Sequence, residues 1–441
     1  MCFMEKKNLN PNQTSERKLA DRDQAVVWHP FTQMLGAEVL PVKRGRGAWL
    51  ELEDGCELLD GIASWWVCLH GHAHPVLARA VANQAYLLEQ VIFAGFTHEP
   101  AVALAEKLIA LTPEKLQRVF FSDNGSTSVE VALKLALQYF HNRGEKRVRI
   151  LALDDAYHGD TFGAMSVSGA SVFTEAFQDL FFEVEFLPSP ALEDVSVVEA
   201  ALDNALAQGP PAALILEPLV QGVAGMQMYA PEVLEKLIGK VQAAGGLVIA
   251  DEIMTGFYRT GSRFAFLQQQ HTPDLLCLSK ALTGGFLPLG TTLCSQEIYD
   301  AFLSQDKTKT FFHGHSFTAN PLACAVANAS LNLLESPEVQ QQIAQIAAQH
   351  QAACKRFERL PQVHAVRTKG IILAVELSAG ESGYLSQISP QLYPFFLQQG
   401  VLLRPLGNVV YILPPLCITP TELEMLYSAL EKGVEWLGEQ G

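Results

Sequence analysis

The chain has 441 residues, 49% hydrophobic and 18% charged, which gives about three domains by length and enough apolar content for a large core. A formal net charge of −16 argues against nucleic acid as the main partner, and no stretch reaches the roughly 18 apolar residues that a membrane span needs. The eight cysteines form no CxxC pair, and Cys277, Cys294 and Cys324 sit in apolar runs, a pattern of reduced core thiols rather than disulfides or zinc ligands.

In chain order, the N-terminus MCFMEKKNLNPNQTSERK is polar, lacks an apolar signal core and reads as a loose leader on a cytosolic protein. WHPFTQM at 28–34 opens a compact region, and GRGAWLELEDGCELLDG at 45–61 alternates and turns at Asp54-Gly55, a hairpin pattern. ASWWVCLHGHAHP at 63–75 is a Gly- and His-rich connection, and helical periodicity follows at 102–111. RVFFS at 118–122 reads as a strand, followed by DNGSTS and an amphipathic helix from 127 to about 140. Strand and helix patterns then alternate: RILALDD, a helix near 197–207, AALILEP, a helix near 231–244, GLVIADE, then PDLLCLSK and GTTLCS. This alternation predicts an α/β fold with βαβ units in one large domain, residues 76–330. Helical patterns at 322–334 and 339–360 precede GIILAVEL, a helix near 390–399, VLLRP, VVYILPP and a last helix from 421. That predicts a small α+β domain over 331–441, sharing its layer with an N-terminal segment, residues 1–75.

The short apolar runs at 247–250 and 275–278 read as buried parallel strands, with Asp251 at the end of one and Lys280 just beyond the other. Ligands of open α/β sheets gather at such carboxyl ends. A lone lysine is by default a surface residue, but the DE-x-x-x-G and SKALTGG contexts together favour a site. An acid and an amine so placed suit pyridoxal phosphate: the carboxylate keeps the pyridinium nitrogen protonated, and the lysine forms a Schiff base. Gly125-Ser126, directly before a helix, is either an ordinary cap or a phosphate cup; with Asp251 and Lys280 present the phosphate reading leads. In AYHGDTFGAMSVSG, Tyr157 could stack on a flat cofactor and Asp160 could bond a polar substrate group, or both could be structural. His70, His72 and His74 alternate, as do His313 and His315, but Gly71, Gly314 and Pro75 make these segments loops without a carboxylate or cysteine spaced to complete a metal site. At least one of Trp65 and Trp66 should be core; Arg404 is either solvated or a clamp on a substrate carboxylate.

From WHPFTQM to the YILPP tail, the chain resembles the class III, fold-type I pyridoxal phosphate aminotransferases. The residues that carry this are HPFTQM, SWWVCLHGH, SDNGSTSVEVALK, YHGDTFGAMSVSG, LEPLVQGVAGM, DEIMTGFYRTG, SKALTGG, HGHSFTANPLACA and LLRPLGNVVYILPP. Within the class, the tryptophan pair, YHGDTFGAMS and LRPLGN are most similar to the biotin-pathway members. Those make 7,8-diaminononanoate from 8-amino-7-oxononanoate with S-adenosylmethionine as amino donor. The resemblance implies a homodimer with shared active sites, in which Lys280 bonds the cofactor and shuttles a proton, Asp251 bonds the pyridinium nitrogen and Tyr157 covers the ring. It also implies that Gly125 and Ser126 bind the phosphate, joined by the partner subunit's His315 and the partner subunit's Ser316. Trp65, Tyr157, Gly314 and Arg404 would line the oxo-acid site.

Two positions depart from the pattern. Phe31 stands where adenosylmethionine users commonly have Tyr, and His315-Ser316 where Pro-Thr is often seen. Both variants occur in lysine-using relatives, whereas the Trp65-Trp66 pair is closer to the adenosylmethionine users. The alternatives are therefore a lysine donor, another ω-amino acid transaminase, an aminomutase, or a cofactor-binding protein without catalysis.

Overall fold

The computed structural model describes residues 18–378 and 386–440; most of the polar leader lies outside them. A seven-stranded sheet runs in the order Leu116–Ser122, Gly290–Ser295, Leu275–Leu278, Leu247–Asp251, Ala213–Leu216, Ile150–Leu153, Glu185–Leu187. Gly290–Ser295 is antiparallel to both of its neighbours, and the other pairings are parallel. The remaining strands therefore all end at one edge of the sheet.

Alternate residues of the central strands face opposite layers, as the period of two requires. Leu214, Leu216, Val248, Ala250, Leu276 and Leu278 belong to one apolar cluster, whereas Ala213, Ile215, Leu247, Ile249, Leu275 and Cys277 belong to another. Helices Val195–Ala207 and Pro231–Ala243 cover the first face, and Gly125–Asn142 the second. Each fully buried leucine or isoleucine contributes about 1.5–3 kcal/mol, which makes this core the rigid base of the molecule.

Strands from both chain ends pair with each other outside the large sheet. Val42–Arg46, Trp49–Leu52 and Glu57–Asp60 form an antiparallel meander, and Val401–Leu402 joins it in parallel, pairing Val401 with Leu59. The predicted turn is present: Gly55 has φ +86°, and the Cys56 amide donates to Asp54 Oδ1 at 2.9 Å. Val363–Lys369, Ile372–Leu377 and Val409–Ile412 form a second small sheet. Cys277, Cys294 and Cys324 are free and buried, whereas Cys56 is disulfide-bonded, contrary to the all-reduced expectation.

The small part is keyed to the large one by Arg259, which is fully buried. Its Nη2 donates to the Trp66 carbonyl at 3.1 Å and its Nη1 to the Pro414 carbonyl at 3.4 Å. Beside it the chain passes so closely that a Cβ on Gly370, at φ +57°, would stand 2.2 Å from the Gly261 nitrogen. Gly370→Ala is expected to cost about 2–3 kcal/mol. Gly47→Ala, at a similar φ of +58° but in open space, should lose only the conformational part. Thermal unfolding of the two variants checks this, and equal midpoints would count against the close approach.

Candidate functional site

The shared strand edge opens on a cavity of about 420 Å³. Leu247–Asp251 delivers Asp251, Leu275–Leu278 leads through Ser279 to Lys280, and Leu116–Ser122 leads to Asn124, Gly125 and Ser126. Ala213–Leu216 delivers Glu217, and the loop after Ile150–Leu153 brings Tyr157 and His158. All of these line the same cavity.

Asp251 is buried, its Oδ2 2.7 Å from His158 Nδ1 and its Oδ1 accepting the Ile253 amide at 3.0 Å. With the carboxylate as acceptor, the imidazole donates from Nδ1, and its Nε2 has no hydrogen bond among the described residues. Lys280 is half-buried with φ +43°, and its Nζ lies 4.4 Å from the centre of the Trp66 ring. Burial lowers its amine to about 8; the Asp251 and Glu217 carboxylates oppose that shift, and the Arg259 charge adds to it. Glu217 accepts the Tyr157 amide at 3.1 Å and the Gly222 amide at 3.0 Å, and burial pushes its own carboxyl up to about 7.

At the other end of the cavity, Asn124 caps helix Gly125–Asn142 by accepting the Thr127 amide at 3.0 Å. The cap is thus Asn124 rather than a serine or threonine, and the amides of Gly125 and Ser126, at the first turn, have no acceptor inside the helix. Ser126 Oγ accepts the Asp160 amide at 3.2 Å, and a Cβ on Gly159 would lie 2.0 Å from that oxygen, so a side chain there would fill the cradle. Free helix amides, a hydroxyl, a desolvated amine and a buried carboxylate in one cavity fit the phosphate, aldehyde and ring nitrogen of pyridoxal phosphate.

Two further predicted residues, Trp65 and Arg404, lie outside the wall of this cavity and connect to it through Phe31, Phe173 and Tyr157. The Arg404 guanidinium stands 4.8 Å over the Trp65 ring, and its Nη2 reaches the Phe31 carbonyl at 3.5 Å. The Phe31 ring packs edge-on to Trp65 at 5.4 Å and to Phe173 at 5.7 Å, and Phe173 packs against Tyr157 at 6.4 Å. Trp66 is the core member of the tryptophan pair, its Nε1 donating to Tyr411 Oη at 3.0 Å. Asp160 is exposed; its carboxylate is bonded to the Tyr157 hydroxyl, which burial and that neighbour push upward.

Gly314, His315 and Ser316 are not in the cavity wall of this chain. Their loop is held by His315 Nδ1 at 3.4 Å from Asp123 Oδ2 and by Gln90 Nε2 donating to the Ser316 carbonyl at 2.8 Å. His158, Glu217 and Phe173 escaped the sequence reading as site residues. His158 and Glu217 lie inside motifs that carry the family resemblance, and His158 adjoins Tyr157, so for His158 adjacency was the available signal; Phe173 had none.

Comparison with known proteins agrees with this geometry. The model of the family described as aminotransferase class-III matches residues 33–434. An adenosylmethionine-8-amino-7-oxononanoate aminotransferase of Synechococcus elongatus is 54% identical, over 92% of this chain and 97% of its own. Its namesake in Geobacter sulfurreducens is 38% identical, over 94% of this chain and 97% of its own. The crystal structure of the enzyme so named from Methanocaldococcus jannaschii superposes with a TM-score of 0.90 at 33% identity, covering 95% of this chain and 98% of that one. An amine transaminase from an uncultivated Pseudomonas species, in its PLP-bound form, gives 0.88 at 31% identity, covering 96% and 99%. With a match over most of its length, the chain belongs to the class-III aminotransferases.

Proposed function

We propose that this chain is a cytoplasmic, homodimeric pyridoxal phosphate enzyme of biotin biosynthesis. It moves an amino group from S-adenosylmethionine to 8-amino-7-oxononanoate, giving 7,8-diaminononanoate. The observation that carries the substrate assignment is Arg404: among the described residues it is engaged by an aromatic face and a carbonyl rather than by a carboxylate. A cation so placed, at the end of an aromatic wall of Phe31, Trp65, Phe173 and Tyr157, suits a long apolar acid with a distal carboxylate. In a chain of net charge −16, such an anion needs a local cation.

Bound at the strand edge, pyridoxal phosphate supplies an electron sink and a carrier for the amine. Asp251, fixed by His158 and the Ile253 amide, keeps negative charge where the ring nitrogen must stay protonated. Gly125 and Ser126 offer the helix amides and a hydroxyl to the phosphate. Tyr157 would lie against the ring face, and Lys280 would hold the cofactor and take and release a proton at the reacting carbon. Both substrates use one site in turn, so the kinetics should be ping-pong.

The direct test supplies 8-amino-7-oxononanoate with either S-adenosylmethionine or lysine and follows the diamine by mass spectrometry. Product with S-adenosylmethionine is expected; product with lysine alone would move the donor, and product with neither would overturn the reading. In the same assay Arg404→Ala should raise the KM for the keto acid on the order of 10–100-fold, with a smaller effect on that of the donor. Equal effects on both would remove Arg404 from the carboxylate.

An amine attacks an aldehyde only when neutral. Since Lys280 titrates at about 8, cofactor capture by the apoprotein should quicken with rising pH and level off above that value. A rate still climbing nearly tenfold per pH unit at pH 9 would show that Lys280 is not held down.

The dimer reading rests on apolar exposure. Tyr86 is 91% exposed and Phe312 74%, and Leu87, Ile92, Phe96 and Phe317 are also exposed. The Gln90–Ser316 bond and that of Asn320 Nδ2 to the Glu89 carbonyl at 3.0 Å join their two segments into one surface. A second copy covering it would bring the partner subunit's His315 and the partner subunit's Ser316 towards the cavity. Light scattering should give twice the 48.2 kDa of the chain, and Phe317→Asp should shift the mass towards the monomer.

A further inference from the structure

The His-rich connection ahead of helix Pro75–Ala85 builds a second reactive constellation beside the cavity. His72 Nδ1 lies 3.8 Å from Cys68 Sγ, and its Nε2 lies 2.8 Å from Oδ2 of the fully buried Asp60. The other oxygen of Asp60 accepts the Ile62 amide at 3.0 Å, which fixes the carboxylate. A thiol, an imidazole and an orienting acid in series are the arrangement that activates a sulfur nucleophile. Burial disfavours charge on His72, but Asp60 and Cys68 outweigh it and hold the imidazole up at about 9, so it is charged at neutral pH. The buried Arg259 guanidinium, attracted by both Cys68 and Asp60, adds positive charge.

Access and consequence are both visible. Cys68 is only partly buried, and His72 lines an open cavity of about 630 Å³ together with Cys417. On its other side Cys68 backs the wall of the cofactor cavity: a Cβ on Gly285, a residue of that wall, would meet Cys68 Sγ at 2.9 Å. An oxygen added to the sulfur on either of these sides would crowd His72 or that wall.

We propose that Cys68 is a thiol-modification site for small electrophiles of the peroxide class, activated by His72 and Asp60, and that its oxidation deforms the Gly285 wall and lowers activity. In the step, sulfur attacks one peroxide oxygen, the O–O bond breaks and the S–O bond of a sulfenic acid forms. The departing hydroxide takes up the thiol's proton and leaves as water; sulfur gives up two electrons and the peroxide gains them.

Cys417 is the internal control, since it too is only partly buried but burial pushes its thiol up to about 11. The holoenzyme is treated with hydrogen peroxide at neutral pH, sulfenic acid is trapped with dimedone, and peptides are mapped. Cys68 should be labelled on the order of a hundredfold faster than Cys417, and His72→Asn should remove most of that difference. Activity of the wild type should fall in step with labelling, and Cys68→Ser should resist. Equal labelling of the two cysteines in the wild type, which needs no variant, would overturn the site. So would fast labelling that survives His72→Asn. Activity loss undiminished in Cys68→Ser would overturn the link to the cavity. Labelling requires no turnover, so failure here and failure of the transaminase reading are separate results.

Discussion

A carboxylate held out of water at the end of a central strand is the constraint from which the site follows. Left alone, an ion there would cost several kcal/mol. Asp251 avoids that through His158 and the Ile253 amide, so the loop after Ile150–Leu153 must fold back across the strand edge. That same loop carries Tyr157, and its backbone is pinned in turn by Glu217. Three acids thus crowd one region, and the strand geometry separates them. Glu252, next to Asp251, faces the other way and accepts the Ala265 amide at 2.9 Å, the Phe266 amide at 2.7 Å and the Thr255 hydroxyl at 2.8 Å. Burial pushes Glu217 and Glu252 both up to about 7, which reduces the negative charge that Asp251 must share space with.

Lys280 is the counterpart of this arrangement. Were burial acting alone, the amine would be driven further down; were the carboxylates acting alone, it would stay charged and inert as a nucleophile. The opposition of the two leaves it near neutrality. The Trp66 ring beneath the ammonium stabilises the charged form without offering it an acceptor that would hold it in place. A lysine here can take and release a proton at little cost in either direction, which is what moving a proton at a substrate carbon demands.

Much of this was legible in the sequence because it depends on local pattern. Runs such as LVIA and LLCL can only be strands buried on both faces, and their ends locate Asp251 and Lys280 without any knowledge of tertiary contacts. Gly125-Ser126 was legible for the same reason, as a short polar segment between a strand and an amphipathic helix. What escaped depends on contacts distant in the chain. His158 reaches Asp251 across 93 positions, and Arg259 reaches Trp66 across 193. Strand Val363–Lys369 escaped because its residues are half-buried at best and include basic ones, which blurs the alternation. Glu185–Leu187 is too short to show a period. Helix Pro75–Ala85 was missed because Pro75 was read as the end of a loop, whereas a proline at the first helical position begins a helix as readily.

The tryptophan pair shows how backbone conformation, rather than composition, divides neighbouring residues between core and site. Ala63, Ser64, Trp65 and Trp66 have φ of 48°, 56°, 94° and 70°, a left-handed turn of non-glycine residues. Such residues cost roughly 1–2 kcal/mol each. The turn persists because its flanks are over-determined: Asp60 holds the Ile62 amide, Arg259 holds the Trp66 carbonyl, and Tyr411 holds the Trp66 indole. Its effect is to send Trp66 down beneath Lys280 and Trp65 outward beneath Arg404. One aromatic face then lies under the Lys280 amine and the adjacent one under the Arg404 guanidinium. A right-handed turn would rotate the two rings to different positions, and neither the amine nor the guanidinium would keep its platform. The strain is therefore tied to the spacing between the reacting end and the binding end of the site. The buried Arg259 that secures the turn also faces Cys68 and Asp60, so the same guanidinium serves the turn and the activated thiol.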